Sequence, residues 1–78
     1  MSKKSQLKKA IKECELEIKA YESKRERSQT EVVRALLAGK KPAKRDEKYF
    51  NTFTDLIDQA RERLRQLNAE LKALDSKD

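Results

Sequence analysis

The sequence predicts an all-α protein, an antiparallel two-helix coiled-coil hairpin with helix 1 over about 4–38 and helix 2 over about 45–75. Two heptad patterns of apolar residues, with alternating steps of three and four, predict the helices. Between the patterns stand Gly39 and Pro42, the single Gly and single Pro of the chain. They predict a turn over 39–45, because Gly favours helix ends and Pro blocks continuation.

The first pattern defines helix 1. Ser2 or Ser5 can cap its first turn, and Gly39 can adopt the left-handed conformation that ends a helix. Two polar residues interrupt its otherwise apolar face. That face consists of Leu7, Ile11, Cys14, Ile18, Tyr21, Arg25, Ser28, Val32 and Ala35.

The second pattern defines helix 2, for which two starting points are possible. A start at 43–47 would place Asp46 and Glu47 at the positive end of the helix dipole, whereas a later start would use Thr52 as the cap. The heptad pattern already holds at Phe50, which favours the earlier start. The apolar face consists of Phe50, Phe53, Ile57, Ala60, Leu64, Leu67, Leu71 and Leu74.

A turn centred on Pro42 determines which side chains face each other. The predicted pairs include Cys14 with Leu71, Tyr21 with Leu64, and Arg25 with Ala60. Because the two apolar faces match along their length, we expect a single helical-hairpin domain over 1–78. Residues 76–78 are expected to form a frayed tail.

The composition is typical of a thin helical seam. Of the 78 residues, 36% are hydrophobic and 44% charged, with a net charge of +6. A two-helix hairpin leaves much of each helix in water, so we expect a dimer or higher homo-oligomer that forms a helical bundle. The basic balance favours acidic partners.

Several kinds of chemistry are not expected. The chain has no His and one Cys, and it has no glycine-rich phosphate loop and no metal-ligand spacing. We therefore expect no enzyme, no cofactor, no metal and no small-molecule substrate. The N-terminus has no apolar core behind its lysines, and no apolar run is long enough to span a membrane, so we expect a cytoplasmic protein without membrane contact.

Three seam residues have alternative interpretations. Cys14 is either a small buried hydrophobe or a redox thiol between protomers. Arg25 and Ser28 form either a polar layer that fixes the register or a recessed contact for an acidic group of a partner. In the polar layer, the Arg25 side chain would extend outward along Ala60 toward Asp58 or Glu62.

The turn end carries apolar residues beyond the seam. An excess of this size is typical of a surface that contacts another copy or a different protein. The predicted partner-binding residues are Val33, Leu36, Leu37, Tyr49 and Leu56. We therefore expect a non-enzymatic protein-binding hairpin, such as a small adaptor, co-chaperone or inhibitor.

The adjacent loop is basic and suggests an alternative. A flexible basic tip can contact phosphates without reading sequence, so the alternative is a nucleic-acid-binding hairpin. The possible phosphate-binding residues are Lys40, Lys41, Lys44, Arg45 and Lys48.

The stretch LLAGKKP followed by KYFNTFTDLIDQA resembles the helix–Gly-turn–helix of the co-chaperones of type III secretion needle subunits. It is also similar to the hairpin of small phage head–tail joining proteins. The hairpin arrangement resembles that of the plasmid RNA-binding protein Rop, a dimeric four-helix bundle. Each resemblance covers about half of the chain, rests on the helix pattern, and implies a helical hairpin that acts by binding, without assigning functional residues.

Overall fold

A computed structural model describes residues 2–76 and confirms the all-α hairpin. Helix α1 spans Lys3–Leu37 and helix α2 spans Lys44–Ser76. The helices lie side by side in a rod of 58 × 18 × 15 Å. They run antiparallel, because Lys4 at the start of α1 forms a 2.7 Å ion pair with Asp75 at the end of α2.

Both ends of α1 are capped. The hydroxyl oxygen of Ser2 accepts a 3.1 Å hydrogen bond from the backbone N–H of Ser5, so Ser2 is the N-cap. At the other end, Gly39 has a φ of +69°, as predicted. The backbone N–H of Lys40 donates to the Ala35 carbonyl at 2.9 Å, and that of Gly39 donates to the Leu36 carbonyl at 3.0 Å. This pair of bonds is a Schellman motif, which satisfies carbonyls that the last helical turn leaves free.

Helix α2 starts at the earlier of the two predicted points. The carbonyl of Ala43 accepts the first hydrogen bonds, from the backbone N–H groups of Asp46 and Glu47. These two acidic residues lie in the first turn, where they complement the helix dipole. At its C-terminus, α2 continues through Ser76, whose hydroxyl donates to the Lys72 carbonyl at 2.9 Å. The rest of the predicted tail, residues 77–78, lies outside the described residues.

The core is a thin seam between the helices. Cys14 and Ile57 are fully enclosed, and Leu7 and Ala60 are each 7% exposed. The other apolar seam residues, such as Leu64 and Leu71, are half-buried. Because two helices cover only one stripe of each other, most of the apolar face keeps contact with water along the two margins of the seam.

The predicted register is wrong. The Cys14 thiol lies 3.1 Å from the Ala60 carbonyl instead of facing Leu71, and the Tyr21 ring lies 5.9 Å from the Phe53 ring instead of facing Leu64. Ala60 and Phe53 each precede the predicted neighbour by eleven residues, about three helical turns. In the ion pairs Arg61–Glu22 and Arg63–Glu17, the α2 residue precedes the predicted position by two and five residues. A shift by whole turns returns the same face of α2 to the seam, so periodicity permits both registers. The turn between Leu37 and Lys44 is centred before Pro42, which moves the facing residues of α2 toward the N-terminus of that helix.

Candidate binding surfaces at the turn end

The seam has two open margins, which differ in their side chains. We call one margin the tyrosine edge; its residues are Tyr21, Tyr49, Phe53 and Leu56. We call the other margin the leucine edge; its residues are Arg25, Val33, Leu36 and Phe50. Heptad geometry separates them, because Tyr49 and Leu56 precede an a position of α2, whereas Leu36 follows a d position of α1. Two of the three ion pairs between the helices within residues 2–76 illustrate the same division: Arg63–Glu17 lies on the tyrosine edge and Arg61–Glu22 on the leucine edge.

Three aromatic rings form a continuous stack on the tyrosine edge. The rings of Tyr49 and Phe53 are 4.7 Å apart between centroids, and those of Phe53 and Tyr21 are 5.9 Å apart. The ring planes are tilted by 47° and 51°, between the offset-stacked and edge-to-face arrangements that ring quadrupoles favour, and both centroid distances lie in the range of aromatic pairs. The Lys24 ammonium lies 5.9 Å from the centre of the Phe53 ring, within the range of a cation–π contact. Three of the four aromatic rings of the chain, from both helices, are thereby held in one cluster.

A polar chain continues the stack toward the open end. The Tyr21 hydroxyl donates a 2.8 Å hydrogen bond to Glu17, and the other oxygen of this carboxylate lies 3.9 Å from the Arg63 guanidinium. The hydrogen bond to Glu17 is the main cause that raises the pKa of Tyr21 above its ordinary value of 10.0. Burial and the negative charge of Glu17 act in the same direction, whereas Arg63 lowers the pKa. The neutral phenol is therefore the form that the folded chain favours.

A shallow groove of about 710 Å³ runs along the tyrosine edge near the turn. Tyr49 forms part of its wall, and the buried Ser28 lies at its base. Side chains of both charges surround it: Lys24, Arg27, Glu31, Arg45 and Asp46. The groove combines a concave surface, an aromatic wall and a mixed polar rim, which are features of contact surfaces.

On the leucine edge, Arg25 takes a different position from the predicted one. Its guanidinium donates a 3.2 Å hydrogen bond to the Thr54 hydroxyl and lies 5.5 Å from the centre of the Phe50 ring. It does not follow Ala60 toward Asp58 or Glu62, because the corrected register places an earlier turn of α2 opposite Arg25. Among residues 2–76, no carboxylate lies within 4 Å of this guanidinium. Its charge is thus available to an acidic group.

The other two polar residues of the seam, Ser28 and Cys14, both donate hydrogen bonds to backbone carbonyls. The Ser28 hydroxyl, 5% exposed, donates a 2.9 Å hydrogen bond to the Arg25 carbonyl. The Cys14 thiol is fully enclosed and donates to the Ala60 carbonyl. In the described part of the chain, no buried side-chain polar atom lacks a hydrogen bond. The enclosure of Cys14 favours its interpretation as a small buried side chain, since a redox thiol needs access.

The five predicted partner-binding residues do not form one patch. Val33, Leu36 and Leu37 are 46%, 61% and 85% exposed on α1, whereas Tyr49 is 44% exposed on α2. Leu56 is half-buried. Val33 lines a groove beside Arg25, and Tyr49 lines the separate groove of the tyrosine edge. The heptad position of each residue carries the signal for this separation, because it gives the angle of the residue around its helix.

The predicted phosphate-binding residues are all exposed. Lys40 and Lys41 lie in the turn, and Lys44, Arg45 and Lys48 lie in the first turns of α2. Arg45 lies 3.9 Å from Asp46, at the limit of an ion pair. The four lysines have no carboxylate within 4 Å among the residues that the structure describes. The loop and the first turns of α2 therefore present four lysines that form no ion pair among the described residues, beside the acidic residues Asp46 and Glu47.

Other classes of site have no counterpart in residues 2–76. No group of three or more potential metal ligands comes together in this range. Neither α1 nor α2 has an apolar stretch long enough to cross a membrane. Comparisons with family models, curated proteins and solved structures find no match to this chain. The resemblances to co-chaperones, phage joining proteins and Rop thus gain no support from the comparisons.

Proposed function

We propose that the protein is a non-enzymatic binding hairpin, an adaptor, co-chaperone or inhibitor, that docks a helix of another protein at its turn end. One observation carries this proposal: Leu36 and Leu37, adjacent in sequence, are 61% and 85% exposed. Full burial of a leucine side chain stabilises an interface by about 1.5–3 kcal/mol. Two such side chains beside Val33 provide the apolar anchors that helix-in-groove binding requires.

Arg25 adds a polar element to this surface. Its guanidinium lies on the same edge as Val33 and Leu36 and has no carboxylate partner within the described range. A helix that presents aliphatic side chains and one carboxylate would satisfy both features of the leucine edge. A charge-assisted hydrogen bond at its centre would fix the position of the docked helix.

The test is affinity capture from a lysate of the source organism, with mass spectrometry to identify the bound proteins. Leu36→Glu/Leu37→Glu should abolish capture, because a carboxylate is costly to bury in an apolar contact. Leu16→Glu is the matched control: Leu16 is 59% exposed but lies in the open half of α1. A partner that the double variant captures as well as the unchanged chain does would refute this proposal.

A second candidate function is phosphate-backbone contact through the basic loop. It is favoured by the four lysines that lack a nearby carboxylate. If these residues bind a nucleic acid, the logarithm of the binding constant should fall with the logarithm of salt concentration by about one per phosphate contact. Absence of any shift of duplex and single-stranded probes at ~50 mM salt would exclude this candidate.

A further inference from the structure

We infer that the tyrosine edge binds a second copy of this chain, so that two hairpins form a four-helix bundle and leave both leucine edges free. This inference rests on the proposed binding function and assigns one of its two surfaces. The two open margins of the seam provide separate places for self-association and for a partner. Three observations support this inference: the first favours self-association, and the other two favour the tyrosine edge as its site.

The first observation is the exposed area. The chain exposes 6356 Å², whereas a compact monomer of its 9.1 kDa mass exposes about 4,900 Å². The excess is about 1,500 Å² per chain, and two-fold dimers with large interfaces bury about 1,000–2,500 Å² from each partner. A second hairpin laid along one margin of the rod would bury surface on this scale.

The second observation is local charge. The chain has a net charge of +6, which opposes self-association wherever basic residues meet. Around the aromatic stack and its groove, however, the tyrosine edge carries charges of both signs in nearly equal number. The acids are Glu17, Glu31 and Asp46, and the bases are Lys24, Arg27, Arg45 and Arg63. Glu17 and Arg63 already lie 3.9 Å apart. Two copies can therefore meet here with less repulsion than the net charge of the whole chain would produce.

The third observation is that the edge is already ordered. The stack of Tyr21, Phe53 and Tyr49 joins the two helices, and the Tyr21 hydroxyl is held by Glu17. Rings that are fixed before binding lose little side-chain entropy on association. A two-fold interface uses the same patch on both copies. The aromatic stack and Leu56 of one copy would therefore pack against the same residues of the other copy.

The test is sedimentation velocity of the whole chain at concentrations up to about 100 µM, where mass action favours the dimer. The unchanged chain and Leu16→Glu should sediment as dimers of twice the 9.1 kDa chain mass. Tyr49→Glu/Leu56→Glu should sediment as a monomer, with at least a tenfold loss of self-affinity. Far-UV circular dichroism checks the helices. If Leu56→Glu reduces helicity, Tyr49→Glu alone carries the test, since Tyr49 is 44% exposed.

An unchanged chain that stays monomeric, or an assembly whose mass Tyr49→Glu does not reduce, would overturn the inference. Leu36→Glu/Leu37→Glu separates the two proposals, because it should abolish partner capture and leave the dimer intact. Loss of the dimer in that variant, with an intact dimer in Tyr49→Glu, would assign self-association to the leucine edge and also overturn the inference.

Discussion

The two edges of the seam are built from the same two helices, but their side chains make different kinds of contact. On the tyrosine edge, three rings stack and a chain of Tyr21, Glu17 and Arg63 completes the contacts. On the leucine edge, Leu36 projects into solvent, and Arg25 contacts a hydroxyl and a ring but no carboxylate within 2–76. The first edge is joined by contacts between its own side chains, whereas the second has exposed aliphatic groups and a guanidinium that has no carboxylate partner in this range.

The largest expected effect on stability comes from substitution of Ile57, which lies between the two edges. Ile57 is fully enclosed between the helices, so Ile57→Ala should lower the free energy of unfolding by about 2–5 kcal/mol through lost contacts and a cavity. Ile57→Val, which removes one methylene, should cost about 0.5–1.5 kcal/mol. Urea denaturation followed by circular dichroism measures both values. If both substitutions left the free energy of unfolding unchanged, Ile57 would not be part of the core.

The next largest effect on stability concerns the turn, which determines which residues of α1 and α2 lie opposite each other. Gly39 has a φ of +69°, and a Cβ at this position would meet no atom within 4 Å. Gly39→Ala should therefore destabilise the hairpin by about 1–2 kcal/mol through backbone conformation alone. Gly39→Asn should cost less, because Asn tolerates the left-handed region. If thermal or urea unfolding gave the same stability for Ala and Gly, the left-handed turn would be in doubt.

A smaller effect tests the leucine edge directly. Arg25 and Thr54 share a 3.2 Å hydrogen bond, and a double-mutant cycle of Arg25→Met and Thr54→Val should give a coupling of about 0.5–1.5 kcal/mol. Met retains an apolar side chain of similar length over Phe50. Denaturant unfolding of the four proteins gives the coupling. A value near zero would contradict the contact across the leucine edge.

The smallest effect tests the tyrosine edge. Because the pKa of Tyr21 is raised, its stabilising hydrogen bond to Glu17 should be fully present below the ordinary value and lost as pH rises through the folded-state pKa. Glu17→Gln should lower the pKa of Tyr21, because it removes the adjacent negative charge. Ultraviolet titration of tyrosinate measures the shift. Glu31→Gln is the control, since Glu31 pairs with Arg34 and should not change the titration of Tyr21.

The sequence predicted the fold well because its signals were local. The serine cap, expected at Ser2 or Ser5, the left-handed Gly39 and the acidic first turn of α2 each depend on a few neighbouring residues. The structure has all three, with Ser2 as the cap. The register was predicted wrongly because a heptad pattern admits shifts by whole turns. With the wrong register, Arg25 was placed opposite Ala60 and its contacts with Thr54 and Phe50 were missed.

The candidate surface could be predicted in part. The exposure of Leu36, Leu37 and Tyr49 follows from their positions off the seam. Their division between two edges needed the angle of each residue around its helix, which the heptad assignment contains. The aromatic stack could not be predicted without the register, because it depends on which turn of α2 lies opposite Tyr21.

The most direct test of two separate edges is disulfide trapping. A two-fold axis through the tyrosine edge would bring residue 56 of each copy close to its equivalent, so Leu56→Cys should form a covalent dimer rapidly under mild oxidation. Leu36→Cys should cross-link more slowly, and the native Cys14 is fully enclosed and should not contribute. Non-reducing electrophoresis compares the rates. Faster cross-linking of Leu56→Cys is the predicted result, whereas equal rates, or a faster Leu36→Cys, would contradict self-association through the tyrosine edge.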